Sequence, residues 1–340
     1  MDVLQAIFLL AIGFVMLVKG ADWFVDGAAG IAEKLRVPSL IIGLTIVSFG
    51  TSAPELATSI ISASQGSADI AVGNVIGSNI TNILLILGLS AIISPLTVNK
   101  CTLKIDFYML LGSSIIIVLF GAFDGTIGRM EGGAMILLYV IYIIFLIRYT
   151  MSERKKEATM SALNANASLS KPQEEELKTG FAGWYEKMKS HTWFLAIVMV
   201  VGLGLIVAGA MYGVIPGATA IAEKVGISEE VIGLTIVAIG TSLPELVTSV
   251  VAAKKGEVDI AVGNVVGSNI FNAICILGIC GVVLPLHFQS TFIIDGLIAI
   301  AAAILLTVLG FLKGNKIRRW GGWVMLLGFI AYYVYLFAFA

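Results

Sequence analysis

The sequence predicts an all-α polytopic membrane protein, with ten transmembrane helices arranged as two inverted five-helix repeats. Three observations predict it: a composition too apolar for a soluble core, a one-sided distribution of Lys and Arg, and a 48-residue block that recurs at an offset of 190 residues.

Of the 340 residues, 58% are hydrophobic and 13% charged, against about 25% charged in soluble domains. Several apolar stretches exceed the roughly 20 residues that cross a bilayer as helix, and none alternates as a membrane barrel strand does. The 21 basic residues are offset by 22 acidic ones with no long basic block, which excludes nucleic acid as a partner. Cys101, Cys275 and Cys280 form no CxxC pair, so no disulfide or zinc framework is expected. The first apolar stretch lacks a basic segment before it, and Lys19, Asp22 and Asp26 stand where a signal peptide would carry small residues. It is read as the first span.

Hydropathy and turn residues place spans at 3–27, 38–64, 70–94, 104–123, 130–150, 193–216, 228–253, 260–284, 290–311 and 320–339. The polar stretch 151–192 divides the chain into a first repeat at 1–150 and a second at 193–340, and composition makes it a linker rather than a folded unit. With both termini outside, the loops on the inner side hold 18 of the 21 Lys and Arg residues, among them Lys34, Lys104, Lys254, Lys316 and Arg318. That bias fits ten spans, a cytoplasmic 151–192 loop and an inner or plasma membrane of a prokaryotic cell.

Residues 41–88 and 231–278 align without a gap, 31 of 48 positions being identical, and IAEK at 31–34 recurs at 221–224. Five spans is an odd number, so the second copy enters the membrane from the opposite side. Inverted repeats of this kind place a binding site at the midplane, where interrupted helices of both halves meet.

Two motifs carry the chemistry. GTSAPE at 50–55 recurs as GTSLPE at 240–245. A carboxylate mid-membrane costs several kcal/mol, so Glu55 and Glu245 at equivalent positions argue for a counter-charge that comes and goes. Pro54 and Pro244 remove a helical hydrogen bond and Gly50 and Gly240 permit bending, which frees carbonyls as ligands. Thr51, Ser52, Thr241 and Ser242 add hydroxyls, giving an all-oxygen set suited to hard cations. GNVIGSNITN at 73–82 recurs as GNVVGSNIFN at 263–272. It puts Asn74, Ser78 and Asn82 on one helix face, and Asn264, Ser268 and Asn272 on another. Its glycines suit close helix packing. Asp69 and Asp259 are read as N-caps. Thr58, Ser59, Thr248 and Ser249 either orient the glutamates or bond their own backbone.

At these residues the sequence resembles the cation/calcium exchanger family, in particular its prokaryotic calcium/sodium antiporters, whose two alpha-repeats carry paired GTSxPE and GNxxGSNxxN blocks. The resemblance implies that Glu55 and Glu245 bind Ca2+ together with backbone oxygens of Thr51 and Thr241. It implies Na+ sites drawing on Ser52, Ser78, Ser242, Ser268 and the carbonyls of Ser48 and Ala238, with Asn82 and Asn272 flanking the centre. Members often carry Asp at one of that last pair; here both are Asn, leaving two formal negative charges. The expected activity is alternating-access exchange of Na+ for Ca2+ without a cofactor, with calcium/proton or potassium-dependent exchange as the alternative. A passive channel and an intramembrane enzyme are further readings, the latter lacking a Ser/His or Asp/Asp arrangement in the spans.

Overall fold

The computed structural model describes residues 2–35, 37–64, 68–99, 102–164, 188, 191–224, 238–312 and 314–339. The chain forms α1 (Val3–Lys34), α2 (Ser39–Thr51), α3 (Ala53–Ser64), α4 (Asp69–Ile93), α5 (Thr102–Ala122) and α6 (Arg129–Asn164) in its first half. The second half forms α7 (Thr192–Ile221), α8 (Ala238–Thr241), α9 (Leu243–Lys255), α10 (Val258–Val283), α11 (Ser290–Phe311) and α12 (Arg319–Phe339).

Seven described helices are long and apolar enough to cross a membrane, and the bent pair α2–α3 makes eight. The span anticipated at 228–253 begins outside the described residues; α8 and α9 are its described part. At 21 residues, α12 rises about 31 Å, roughly the thickness of the hydrocarbon layer. Helix α6 runs to Asn164, well past the end expected near 150, so the linker opens as helix; most of the rest of 151–192 lies outside the described residues.

The interior is formed by α4 and α10. Of their most apolar stretches, 72% and 83% is buried, against 22% for α1 and for α6. Their central position follows from sequence: both carry the GNxxGSNxxN block, whose small and amide side chains belong away from lipid. The repeats interlock around them, α10 packing on α6 and α4 on α12, and α1 lies along α7. Gly267 of α10 shows what the close approach requires: a Cβ there would lie 2.6 Å from the Leu44 carbonyl oxygen and 2.8 Å from Ser48 Oγ.

The GTSxPE glycines act differently from expectation. The chain breaks at Ser52 (φ −83°, ψ 7°), where the axes of α2 and α3 diverge by 47°. Pro54, without an N–H, leaves the helix ladder interrupted one turn back. Gly50 and Gly240 instead sit against α7, where an added Cβ would meet Leu203 at 2.9 Å and Ile215 at 2.5 Å. They are sites of close approach. Asp69 and Asp259 are likewise not N-caps: each lies inside the first turn of its helix, and Glu257 precedes α10 without a capping bond from its side chain.

Four two-residue strands, absent from the all-helical expectation, tie the halves together. At one end β1 (Leu96–Thr97) pairs antiparallel with β4 (Lys316–Ile317); at the other, β2 (Thr126–Ile127) pairs with β3 (Leu286–His287). The 190-residue offset carries β1 onto β3 and β2 onto β4, so the pseudo-symmetry exchanges the two ladders. Such short pairings carry no alternation signal a sequence reader can use.

The register Thr126↔His287 is testable. Thr126→Cys with His287→Cys is expected to oxidise readily and raise the unfolding midpoint, since directly paired strand residues meet disulfide spacing. Thr126→Cys with Leu286→Cys is expected to stay reduced; efficient oxidation of that pair in a gel-shift assay would mean the register is wrong.

Candidate ion-binding site

The break between α2 and α3 points the N-terminal turn of α3 inward, and the α8–α9 junction does the same from the other half. Glu55 and Glu245 head these turns and are both fully buried, as are Thr51, Ser52, Thr241, Ser242, Ser78 and Ser268 around them. The two motifs are joined reciprocally. Ser52 Oγ donates to Glu245 Oε1 at 2.8 Å, and Ser242 Oγ lies 3.3 Å from Glu55 Oε1. Ser242 Oγ also lies 3.3 Å from Ser78 Oγ, which brings α4 into the cluster.

Each glutamate is also fixed from behind. Asn74 Nδ2 donates to the Glu55 carbonyl (3.5 Å) and to Ser59 Oγ (3.0 Å); Asn264 Nδ2 donates to the Glu245 carbonyl (3.4 Å) and to Ser249 Oγ (2.9 Å). Ser59 and Ser249, four residues after the glutamates, are therefore anchors for the neighbouring helix rather than partners of the carboxylates. Thr51 Oγ1 closes the set by donating to Asn264 Oδ1 at 3.0 Å.

The backbone oxygen of Ser48 accepts from the Ser52 N–H at 3.0 Å and lies 3.5 Å from Ser268 Oγ, so α10 reaches the same turn. Ala238 opens α8 at the equivalent position. Asn82 and Asn272 are fully buried but do not bond the glutamates: Asn82 Nδ2 donates to Asn269 Oδ1 at 3.4 Å. Both stand at the start of wide helical turns, Asn82–Leu87 and Phe271–Ile276, which rotate the rest of each helix relative to its first half. The Asn79–Asn269 pair, with Asn79 Nδ2 donating to the Asn269 carbonyl at 3.2 Å, escaped the sequence reading. Its signal was present, because 79 and 269 differ by the repeat offset.

Chemically the cluster is an oxygen cage. Glu55 Oε2, Glu245 Oε2, Asn82 Oδ1 and Asn272 Oδ1 are buried without a hydrogen-bond donor, and no ion pair among the described residues involves either glutamate. Buried carboxylate oxygens in that condition call for a cation or a proton. The donor set, without Cys or His, suits a hard cation.

A family model described as sodium/calcium exchanger protein matches residues 5–148 and 194–338. The chain belongs to that family. It is 37% identical over 361 residues to the sodium/calcium exchanger MaX1 of Methanosarcina acetivorans, covering 97% of each chain. It is 33% identical over 337 residues to the inner membrane protein YrbG of Escherichia coli, covering 98% of this chain and 97% of that one. The fold superposes on the sodium-calcium exchanger NCX_Mj, soaked with zero Na+ and Ca2+, with a TM-score of 0.80 and 30% identity over 98% of this chain and 100% of the other. As a member of the sodium/calcium exchanger family the chain is a membrane cation antiporter, not an enzyme.

Asn264→Ala would strip Ser249 and the Glu245 carbonyl of their Asn264 partner in a fully buried place, while Thr51 Oγ1 keeps the Val47 and Ser48 carbonyls, and is expected to cost about 3 kcal/mol. Asn74→Ala, at a partly exposed site, is expected to cost about half as much. Unfolding of the purified variants in detergent ranks them; equal losses would contradict the asymmetry.

Proposed function

We propose that the protein exchanges Na+ for Ca2+ by alternating access at the buried oxygen cluster. The observation that carries the proposal is the reciprocal bonding of two fully buried glutamates, each with one oxygen unpartnered and, among the described residues, no ion pair. Ca2+ is the cargo held between Glu55 and Glu245, with backbone oxygens of Thr51 and Thr241. Na+ occupies flanking positions made from Ser52, Ser78, Ser242, Ser268 and the carbonyls of Ser48 and Ala238. Asn82 and Asn272 shape the centre without adding charge. The likeness to MaX1, which is named a sodium/calcium exchanger, supports Na+ as the counter-ion, as does the GTS sequence ahead of each glutamate.

Coupling follows from competition. An empty site would carry two uncompensated carboxylates through a low-dielectric passage, so the crossing favours loaded forms. One Ca2+ neutralises two carboxylates. Three Na+ at the same centre would leave one positive charge, making each cycle sensitive to voltage at about 2.3 kcal/mol per 100 mV. The helix pair α1 and α7, lying against the GTSxPE glycines, is the element that moves relative to the core. The proposed topology has ten spans in an inner or plasma membrane, both termini outside and the 151–192 loop cytoplasmic; YrbG, named an inner membrane protein, supports the location.

The unpartnered glutamate oxygens also suit protons, and calcium/proton exchange is the second reading. Proteoliposomes with Na+, K+ and pH gradients imposed one at a time separate them: calcium uptake is expected to follow the Na+ gradient and ignore the others. Glu55→Gln or Glu245→Gln removes a buried charged ligand worth about 3–5 kcal/mol, a loss of at least about a hundredfold in calcium flux. A double variant that still drives calcium uptake from a Na+ gradient would sink the proposal.

A further inference from the structure

The hairpin between α11 and α12 carries a cavity of about 230 Å³ lined by Leu309, Leu312, Lys316, Arg318 and Trp320. It lies far along the chain from the ion cluster and plays no part in it. Lys316, Arg318 and the neighbouring Arg319 have no acidic partner among the described residues, and all three are exposed. Trp320 is 51% exposed and Leu312 39%, giving one surface that is cationic at its rim and apolar below. Trp and basic residues in this arrangement belong at the boundary between headgroups and acyl chains.

The internal repeat supplies a control. At the offset of 190 residues, Lys316, Arg318 and Trp320 correspond to Thr126, Gly128 and Met130. Both hairpins build the same kind of strand ladder, so the fold itself does not need the charges. The helix start differs too. In the first copy Glu131 Oε2 accepts from the Gly128 N–H at 3.1 Å, placing a negative charge at the N-terminus of α6. In the second copy the residue equivalent to Glu131 is Gly321, which offers no side chain, while two cations have been added beside the N-terminus of α12. One copy supplies its own anion; the other presents a cationic pocket.

The geometry points to a binding site for the phosphate headgroup of an anionic phospholipid at the α11–α12 hairpin. The phosphate sits between Lys316 and Arg318, the glycerol region against Trp320, and the acyl chains along Leu312, with buried Leu309 flooring the cavity. Because β4 pairs with β1, a lipid held here also braces the linker after α4, the helix that carries Ser78 and Asn82.

The test uses the full-length protein in nanodiscs, with brominated phosphatidylglycerol or brominated phosphatidylcholine as quencher. The signal is the part of tryptophan fluorescence lost in Trp320→Phe. Phosphatidylglycerol is expected to quench Trp320 at least tenfold more effectively at equal mole fraction. Lys316→Gln with Arg318→Gln is expected to bring the two lipids level, while Lys316→Arg with Arg318→Lys keeps the preference. Lys34→Gln with Lys254→Gln, removing the same charge elsewhere, is expected to leave it unchanged. Equal quenching by both lipids in the unmodified protein would overturn the proposal. So would loss of the preference in the Lys34 and Lys254 pair, which would mean bulk attraction, or its abolition by millimolar inorganic phosphate, which would mean a free-phosphate site. Calcium uptake in vesicles of neutral lipid verifies that each variant is folded and is expected to be unchanged, so failure here is separable from failure of the transport proposal.

Discussion

The rest of the structure depends on two carboxylates kept in an apolar interior with no cation paired to them among the described residues. Isolated, each would be expelled or neutralised at a cost of several kcal/mol. The fold tolerates them because Ser52 and Ser242 cross over to the opposite glutamate, and Asn74 and Asn264 hold the backbone behind each one. Everything that brings those donors within reach follows: the break at Ser52, the glycine contacts of α2 with α10, and the central placement of the two polar helices. The arrangement is half-satisfied by design, since one oxygen of each carboxylate has no donor.

Duplication makes this cheap to build. In each half the serine bonds the glutamate of the other half rather than its own, Ser52 reaching Glu245 and Ser242 reaching Glu55. Two copies facing each other across a pseudo-two-fold axis can exchange donors, and each asparagine then solves the same local problem twice. The offsets of 19 residues from Asn to glutamate carbonyl and 15 from Asn to serine hydroxyl are identical in the two halves. The terminal ladders obey the same exchange and fix the outer helices around the centre.

Much of this was legible in the sequence because burial of charge is so costly: Glu55, Glu245 and the Ser and Asn stripe could not be explained as lipid-facing residues. The duplication was legible as a gapless repeat at an offset of 190 residues. What escaped depended on contacts between elements rather than on pattern. Gly50 and Gly240 looked like hinges, but their function is set by Leu203 and Ile215 of α7. Asn82 and Asn272 were read as flanking the centre; that they also sit where the helical turn widens, with Asn82 bonded to Asn269, could not be read from pattern. The strand ladders, two residues each, left no trace in periodicity, and the wide turns none in composition.

The symmetry stops at the surface, and there it has consequences for transport. Lys255, at the end of α9, lies 2.8 Å from Asp26 and 3.3 Å from Asp22 of α1, and also donates to the Asp22 carbonyl at 2.9 Å. The repeat-equivalent positions are Gln65, Pro216 and Tyr212, so no matching ion pair exists on the opposite side. An exposed pair of this kind is worth up to about 1 kcal/mol, small against the folding energy. It is nonetheless comparable with the difference that separates two conformers of a transporter, since about 1.4 kcal/mol changes a population tenfold. Two halves built on one plan therefore need not give two states of equal energy. The carboxylate cage is built alike by both halves, whereas the Lys255 pairing with Asp22 and Asp26 is among the peripheral charges that the duplication did not copy.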